Sequence, residues 1–385
     1  MPTVRLPTAA RGIEDFRLGP PSPFPQVQTA AFPRIAYAAA HVVADPRADA
    51  APWQQAAVDW DATLAFRHHL WSLGFKIAEA MDTSQRGMGL DWPAAAELIR
   101  RSLAEARTVP GADLACGVGT DQLAPGADLD AVRRAYEEQL AVVESGGGRA
   151  ILMASRALVR AARSRDDYLE IYGGLIRQAS APVILHWLGD MFDPQLAGYW
   201  GSDDLDAATE TVLALIADHK ERIDGIKISL LEERREVELR RRLPAGVKMY
   251  TGDDFNYARL IAGDGEHHSH ALLGIFDPTA PAAAAALAAL GHGELGAYEA
   301  ALEPTVPLSR KIFEAPTQYY KAGVVLLAWL NGHQDHFTMV GGMQSARSAL
   351  HYADVFRLAD QARLLRDPEL AAARITTLMA LHGIA

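Results

Sequence analysis

The segment Arg222-Ile-Asp-Gly-Ile-Lys-Ile-Ser-Leu230 is a short run of β-branched residues that contains one lysine, Lys227. The isoleucines on either side of this lysine predict a buried β-strand. Side chains alternate between the two faces of a strand, so isoleucines that pack against covering helices leave the lysine on the opposite face. The segment therefore predicts a lysine that points into the middle of a sheet.

A lysine in that position has two possible roles. Loss of solvent disfavours the ammonium form and lowers the pKa, which leaves a free amine able to attack a carbonyl carbon and form a Schiff base. Alternatively, the lysine is structural and reaches a carboxylate or extends to the rim of the sheet. Taken alone, the segment favours the structural role. Residues elsewhere in the chain are needed to choose between the two roles.

The lysine segment is the sixth of eight strand-length apolar runs. They cover residues 34–43, 75–81, 112–117, 149–154, 182–187, 222–230, 247–251 and 268–276. Helical patterns follow most of them, at residues 61–73, from 93, from 129, 166–178, 205–220 and 278–290. Eight such units in about 250 residues predict a (β/α)8 barrel. An open doubly wound sheet is disfavoured, because no Gly-rich phosphate-binding motif follows the first strand.

The sequence outside the barrel divides into two regions. Residues 1–33 are rich in proline and polar residues and are interpreted as an irregular N-terminal arm. Residues 293–385 carry long helical patterns, at 309–330, 346–365 and 368–382, without any strand signal. We therefore expect an arm at 1–33, a barrel at 34–292 and a C-terminal helical region at 293–385.

Composition restricts the partners. The formal net charge of −11 in 385 residues argues against nucleic acid and against an anionic membrane surface. Cys116 is the only cysteine, which excludes a disulfide within the chain and fits a reducing cytoplasm. No segment has the pattern of a signal peptide or a membrane span, so a cytoplasmic location is expected. The apolar run Val324–Leu330 indicates either a homo-oligomer contact or a helix buried within the subunit.

The chemistry of such a barrel gathers at the carboxyl ends of its strands. The sequence places many polar residues at these ends: His41, 82–86, 117–121, Ser155, Arg156, 186–190, 227–229, 251–254 and 268–270. This is more polarity than a bare rim requires. The pattern therefore predicts a functional site there, with Lys227 among its residues.

Three groups of motifs follow one another in the chain. Gly225-Ile-Lys-Ile-Ser229 precedes Met249-Tyr-Thr-Gly-Asp-Asp-Phe255 and Leu260-Ile-Ala-Gly-Asp-Gly265. Asp166-Asp-Tyr-Leu-Glu-Ile-Tyr172 leads to Pro182-Val-Ile-Leu-His186, and Asp82-Thr-Ser-Gln-Arg86 lies further upstream. In order and spacing these motifs resemble the dihydrodipicolinate synthase and N-acetylneuraminate lyase family of Schiff-base aldolases. The resemblance spans most of residues 34–290 and is that of a remote branch.

The resemblance implies a role for each matching residue. Lys227 matches the lysine that forms the Schiff base with a 2-oxo acid such as pyruvate. His186 stands where the family has a tyrosine that relays protons, and imidazole can do this work nearer neutral pH. Thr83 and Ser84 match the hydroxyl pair that holds the oxo-acid carboxylate.

Further substrate-binding residues are expected around this centre. Arg86 replaces the family's glutamate and would add positive charge for the carboxylate. Asp253, in the Gly-Asp-Asp turn, and His270 are expected to contact substrate. Arg156 either meets a substrate carboxylate or pairs with Asp166 or Asp167. The segment after His186 departs from the family's Asn-Val-Pro, so the aldehyde or imine partner is not expected to be the usual one.

The sequence thus predicts a lyase or aldolase that makes or breaks a carbon–carbon bond, or dehydrates a sugar acid, without a cofactor. A metal-assisted hydrolase or aldolase is a first alternative, because His268 and His270 would share one strand face that His41 and His186 could approach. A barrel that binds an oxo acid or sugar acid without turnover is a second alternative. The retained Lys227 argues against it, because a buried amine is costly to keep without a partner.

Overall fold

The computed structural model describes residues 1–28 and 30–384. Ten strands lie in this part of the chain. They are β1 (Thr3–Pro7), β2 (Ile13–Arg17), β3 (Ala36–Ala39), β4 (Lys76–Glu79), β5 (Leu114–Val118), β6 (Arg149–Leu152), β7 (Val183–Leu188), β8 (Ile223–Ser229), β9 (Lys248–Thr251) and β10 (His270–Leu273).

Helices separate the strands and continue after the last one. They are α1 (Trp60–Ser72), α2 (Trp92–Ala106), α3 (Leu129–Ser145), α4 (Arg156–Ala161), α5 (Arg165–Gln178), α6 (Leu205–His219), α7 (Glu233–Arg242), α8 (Tyr257–Ala262), α9 (Ala280–Gly291), α10 (Leu295–Leu302), α11 (Val306–Ile312), α12 (Lys321–Leu330), α13 (Ala349–Gln361) and α14 (Pro368–Leu381). In the described part of the chain, no helix is long and apolar enough to cross a membrane.

Strands β3 to β10 form a closed parallel barrel in the order β10-β3-β4-β5-β6-β7-β8-β9. With a helix after each of its strands, this is the predicted (β/α)8 fold. The closure is stabilised by apolar residues that meet inside the barrel. They include Tyr37, Ala78, Ala115, Ile151, Ile184, Tyr250 and Leu272, one from each of seven strands. A barrel interior of this kind is a packed core rather than a pore.

Acidic residues define where several barrel helices begin. The side chains of Asp91 and Asp128 accept hydrogen bonds from backbone N–H groups in the first turns of α2 and α3. Asp204 does the same for α6. A side-chain oxygen at this position satisfies a donor that the first helical turn leaves unpaired. Because the caps are local sequence features, the starts of these helices agree with prediction to within one residue.

The chain divides into two compact units. One comprises residues 34–40 and 76–274 and contains all eight barrel strands together with α2 to α8. The other comprises residues 1–33, 41–75 and 275–385 and contains the first hairpin, α1 and α9 to α14. In the second unit, β1 packs against α13 and α14, and α12 packs against α11, α13 and α14.

Two local predictions are corrected by the structure, and one open alternative is favoured by it. The N-terminal arm is not wholly irregular, because β1 and β2 form an antiparallel hairpin that pairs Thr3 with Arg17. The helix expected at 309–330 is interrupted after Ile312, where Pro316 lacks an N–H donor and restricts the residue before it. Every residue of α12 is buried, so the apolar run within it presents no exposed surface for an oligomer contact.

Candidate active site

Lys227 lies on β8 with its side chain inside the barrel. It pairs in register with His186 on β7 and with Tyr250 on β9, and Tyr250 belongs to the interior core. Residues paired in register on neighbouring strands point to the same face of the sheet. Both flanking isoleucines are fully buried, as expected for side chains on the outer, helix-covered face.

The lysine is nearly sealed from solvent, with 7% of its surface exposed. In the described part of the chain, its ammonium nitrogen has no carboxylate within ion-pair distance. Burial lowers the pKa of Lys227 below its ordinary value, while the negative charges of Asp82 and Asp254 act in the opposite direction. The net result is an amine that loses its proton more easily than a surface lysine does.

A glycine makes room for this side chain. An added Cβ on Gly252 would lie 2.7 Å from Cε of Lys227 and would also collide with Oγ of Ser229. Gly252 belongs to the Gly-Asp-Asp turn that follows β9, and its N–H donates a hydrogen bond to the carbonyl of Ile228. This hydrogen bond holds the turn against the end of β8, where the absence of a side chain on Gly252 leaves room for the lysine side chain.

His186 is the second titratable group inside the barrel at this level. It is completely buried, and its Nε2 atom lies 3.3 Å from the hydroxyl of Ser229. Its Nδ1 atom has no hydrogen-bond partner within the described residues. Burial, and then the neighbouring Lys227, lower the pKa of His186 well below the ordinary value, so the imidazole is neutral at pH 7. A neutral ring can accept a proton from a bound substrate.

A cavity of about 400 Å³ opens beside His186. Residues at the carboxyl ends of four neighbouring strands, β4 to β7, line it. They include Asp82, Arg86, Gly119, Thr120, Asp121, Met153, Ser155, Arg156, His186 and Leu188. The volume lies within the range of about 300–1,000 Å³ of small-molecule sites. Polar and charged side chains make up a large part of the lining.

Two predicted substrate-binding arginines line this cavity but carry acidic partners. Arg86 pairs with Asp121 and donates hydrogen bonds of 2.7 Å to the carbonyl of Gly117 and 2.6 Å to Oε1 of Gln139. Burial raises the pKa of Asp121, but Arg86 outweighs it and holds that pKa below the ordinary value. The guanidinium thus fastens the turn after β4 to the end of β5, and the structure does not leave it free for a substrate carboxylate.

Arg156 also has a partner that the sequence did not indicate. Its Nε atom donates to the carboxylate of Asp193, not to Asp166 or Asp167. Asp193 lies beyond β7 in the chain, so only the fold brings the two residues together. Arg156 still lines the cavity with a side chain that is 44% exposed.

The structure supports only part of the substrate-binding role expected for the turn at residues 82–86. Thr83 and Ser84 are both buried. The Ser84 hydroxyl donates a 2.7 Å hydrogen bond to the carbonyl of Met81, and the Ser84 N–H donates to the same carbonyl. Ser84 therefore has no free donor for a carboxylate, which argues against its predicted role. Asp82, in contrast, lines the cavity.

Asp253 has a structural role. One of its carboxylate oxygens accepts hydrogen bonds from the N–H groups of Phe255 and Asn256, and the other accepts from the Asn256 side chain. These bonds shape the turn that precedes α8. Its neighbour Asp254, rather than Asp253, is the residue whose charge acts on Lys227.

The prediction for His268 and His270 is wrong in its placement. Strand β10 begins at His270, so both histidines lie at the amino-terminal end of the strand and not at the carboxyl end. His270 accepts a hydrogen bond from the N–H of Ile35 through Nδ1, and burial lowers its pKa to about 4. The strand was expected to begin two residues earlier. Both the predicted and the observed bounds place these histidines at the start of the strand, so their assignment to a carboxyl end was inconsistent with the predicted strand itself.

The metal alternative receives no support from the geometry. His41, in the second unit, donates a 2.8 Å hydrogen bond from Nδ1 to the carboxylate of Asp277 and packs against Phe66. Within residues 1–28 and 30–384, no three His, Cys, Asp or Glu side chains are grouped as the ligands of a metal ion would be. The residues present therefore do not form the expected histidine cluster.

Several residues of the site had no role assigned from the sequence. They are Asp82, Thr120, Ser155, Ser229 and Asp254. Thr120 and Ser155 share a 2.6 Å hydrogen bond between their hydroxyls at the cavity wall. All five lie at, or a few residues after, the carboxyl end of a barrel strand. This position is the feature of the sequence that could have identified them as site residues. Their side-chain partners depend on strand order around the barrel and were not readable from the sequence.

Chemically, the arrangement combines a buried amine, a neutral imidazole, nearby carboxylates and a cavity that admits a small molecule. Amine attack on a carbonyl needs an unprotonated nucleophile and a group that moves protons. Lys227 and His186 provide these groups on adjacent strands. The carboxylates of Asp82 and Asp254 can balance the positive charge of an iminium formed on the lysine.

Solved structures of the dihydrodipicolinate synthase family share this architecture. A dihydrodipicolinate synthase from Aquifex aeolicus shares 12% identity over 91% of this chain and 98% of its own, with a TM-score of 0.62. A prophage protein of the dihydrodipicolinic acid synthase family from Escherichia coli, solved with pyruvate, shares 12% identity over 92% of this chain and 100% of its own, with a TM-score of 0.64. The pyruvate complex of a chloride-inhibited dihydrodipicolinate synthase from Acinetobacter baumannii shares 15% identity over 86% of this chain and 99% of its own, with a TM-score of 0.63.

These similarities confirm the predicted resemblance at the level of the fold. A comparison with curated proteins found no significant match. A family model described as "Protein of unknown function (DUF993)" matches residues 4–384, nearly the whole length, and the chain belongs to that family.

Proposed function

We propose that the protein is a Schiff-base lyase or aldolase in which Lys227 condenses with a 2-oxo acid. The observation that carries this proposal is the buried amine inside the barrel, without an ion-pair partner in the described part of the chain and with a lowered pKa. Pyruvate bound to structures of the same fold supports a 2-oxo acid as the first substrate to test.

In the proposed reaction, the Lys227 amine attacks the ketone carbon and water is lost to give an iminium. The iminium accepts electrons when a proton leaves the adjacent carbon, which forms an enamine that can add to an aldehyde. His186 is proposed to take and return protons, since its ring is neutral and adjacent. Asp82 and Asp254 are proposed to stabilise the positive iminium, because opposite charges attract strongly where water is scarce.

Reductive trapping tests this proposal directly. The protein is incubated with pyruvate and cyanoborohydride, digested and analysed by mass spectrometry. Reduction of the iminium should leave a carboxyethyl group on Lys227. The chain has six lysines, so the modified residue is easily distinguished from the others.

Matched variants separate the specific adduct from surface chemistry. Lys227→Ala and Lys227→Arg should both lose the adduct, and the arginine variant keeps a positive charge in the barrel. Lys220→Ala changes an exposed lysine and should leave trapping intact. Modification spread over several lysines, or retained in both Lys227 variants, would refute the Schiff base. An adduct without any turnover would favour a binding protein.

A further inference from the structure

A small cavity lies within the second unit. Its walls come from α1, from the turn before α9, from the end of α12 and the residues after it, from the segment after α13, and from the N-terminal segment at Ser22 and Gln26. Its volume is about 20 Å³, and a single water molecule needs about 10–15 Å³. The cavity therefore has room for one occupant of that size. Apolar side chains such as Phe66, Leu327 and Leu364 form part of the wall, and polar groups form the rest.

Asp277 is the most deeply buried polar residue of this lining, with 2% of its surface exposed. Its Oδ2 atom accepts hydrogen bonds from the backbone N–H and from Nδ1 of His41, which is not part of the lining. Its Oδ1 atom is buried and has no hydrogen-bond partner within the described residues. A buried acceptor without a donor is costly. Because His41 occupies Oδ2, Oδ1 is the oxygen available to an occupant of the cavity, and it favours a hydrogen-bond donor.

Two histidines provide further acceptors. His69 on α1 and His333 after α12 both line the cavity, and their ring centroids lie 4.3 Å apart. Neither imidazole forms a hydrogen bond or an ion pair with a described residue. Burial lowers the pKa of His69 to about 4 and that of His333 to about 2, so both rings are neutral at pH 7. A neutral imidazole has one ring nitrogen that can accept a hydrogen bond.

The charges around the cavity favour a cation beside Asp277. Arg366 lines the exposed side, and in the described part of the chain it has no carboxylate within ion-pair distance. At His69, the negative charge of Asp277 raises the pKa by more than the positive charge of Arg366 lowers it. Arg366 also lowers the pKa of His333. The carboxylate thus has the larger effect on the side of the cavity that His69 lines.

The spacing of the acceptors distinguishes between kinds of cation. A zinc ion holds nitrogen and oxygen ligands at about 2.0–2.2 Å, whereas a hydrogen-bond donor lies about 2.7–3.2 Å from its acceptor. Among the described residues, no three His, Cys, Asp or Glu side chains are close enough together to bind a metal ion. A wider set of acceptors around a space the size of one water molecule fits an ammonium group, which carries at least three N–H donors.

We infer that this cavity binds a small ammonium ligand, either the ammonium ion or methylammonium, through Oδ1 of Asp277 and the ring nitrogens of His69 and His333. The inference is independent of the proposed chemistry at Lys227 and concerns a different set of residues. The bound ligand supplies the donor that Asp277 lacks. It also connects α1, the turn before α9 and the segment after α12, so its binding stabilises the folded chain.

Calorimetry tests the inference on the whole chain. Ammonium chloride is titrated at pH 7 against a background of tetramethylammonium chloride, which keeps the ionic strength constant and has no N–H group. Potassium chloride is titrated in the same way, because potassium has the same charge and a similar size but donates no hydrogen bond. We expect ammonium to bind at least about 10-fold more tightly than potassium, as for the loss of hydrogen bonds to a charged group. Methylammonium shows whether the site accepts an alkyl group.

Two variants examine the acceptors. Asp277→Asn places an amide where the unpaired oxygen lies and should weaken ammonium binding by about 10- to 100-fold. His69→Phe removes an acceptor but keeps an aromatic ring, and it should weaken binding by about 3- to 10-fold. Asp61→Asn and His68→Phe, both exposed on α1 and outside the cavity, are the matched controls and should bind normally. Denaturant unfolding without ammonium separates a loss of folding from a loss of binding.

Arg366→Gln distinguishes a cation site from an anion site. Loss of this exposed positive charge should strengthen ammonium binding by about 2- to 5-fold at low salt. Weaker ammonium binding in Arg366→Gln would overturn the inference. So would equal binding of potassium, unchanged binding in both Asp277→Asn and His69→Phe, or the absence of ammonium binding to the natural protein. None of these results affects the trapping of pyruvate on Lys227, so the two proposals can fail separately.

Discussion

At the scale of single residues, the pKa of Lys227 is set by two opposing influences. Burial lowers its pKa, and the charges of Asp82 and Asp254 oppose that decrease. The direction of the side chain was predictable, because alternation along a strand requires only the neighbouring residues. The opposing carboxylates were not, because they belong to segments about 145 residues upstream and 27 residues downstream.

Replacement of Asp82 tests this balance. Asp82→Asn removes a negative charge that favours the ammonium form, so the pKa of Lys227 should fall further. The rate of pyruvate trapping, measured against pH, should then reach half its maximum at a lower pH than in the natural protein. Asp130→Asn, on the exposed side of α3, is the matched control. A profile that moves to higher pH, or does not move, would contradict the assigned electrostatics.

Arg86 shows the limit of residue-level reasoning. Its place in the motif indicated a free cation for a substrate carboxylate. In the structure, Asp121, Gln139 and the carbonyl of Gly117 already accept its hydrogen bonds. These partners lie on or near the next strand of the barrel. A motif records which residue is present but not which neighbours the fold assigns to it.

At the scale of elements, one helix is fixed to the barrel by a buried carboxyl group. Glu236 on α7 accepts hydrogen bonds of 2.8 Å from the Thr251 hydroxyl and 2.6 Å from the Ser269 hydroxyl. The contact joins α7 to the end of β9 and to the residue before β10. Burial raises the pKa of Glu236 to about 8, against an ordinary value of 4.5.

The raised pKa of Glu236 predicts a pH-dependent stability. Between pH 4.5 and about 8 the folded protein retains this proton and the unfolded chain does not, so stability should fall as pH rises. From pH 6 to pH 8 the loss from this group is about 2 kcal/mol. Glu236→Gln should remove that part of the decline, as measured by denaturant unfolding at both pH values. Glu238→Gln, exposed on the same helix, should retain it.

The prediction of elements was wrong at the start of the eighth barrel strand and in the N-terminal hairpin. The starts of α2, α3 and α6 were predicted to within one residue, and each lies directly after a capping aspartate. The eighth strand was extended backward over His268, since an apolar run gives no signal for the residue at which pairing begins. The hairpin at β1 and β2 was missed because its strands are short and are stabilised by packing of β1 against α13 and α14.

At the scale of the whole molecule, β8 and β9 approach each other closely at a glycine two residues before the lysine. An added Cβ on Gly225 would lie 2.5 Å from the carbonyl oxygen of Lys248 and 2.7 Å from the ring of Tyr250. The Tyr250 hydroxyl donates a 2.6 Å hydrogen bond to Asp224. The tyrosine therefore fills the space above the glycine and is fixed there by the neighbouring residue.

Gly225→Ala should destabilise the barrel. The added methyl group forces strand or ring to shift, at a cost of about 1–3 kcal/mol in the free energy of unfolding. Gly174→Ala, in α5, is the control, because no atom beyond the neighbouring backbone of its own helix lies within 4 Å of its added Cβ. That change should instead stabilise the protein by about 0.5–1 kcal/mol. Equal effects of the two substitutions would show that the close approach at Gly225 is not limiting.

The sequence by itself determined the eight alternating units, the barrel they form and the inward direction of Lys227. These features follow from periodicity and local propensity, which act between residues close in the chain. Only the tertiary structure decided that Arg86 and Arg156 are paired with carboxylates and that Arg160, among the described residues, is not. Such facts depend on which distant segments meet when the sheet closes, and burial and pairing energies are defined only after that closure.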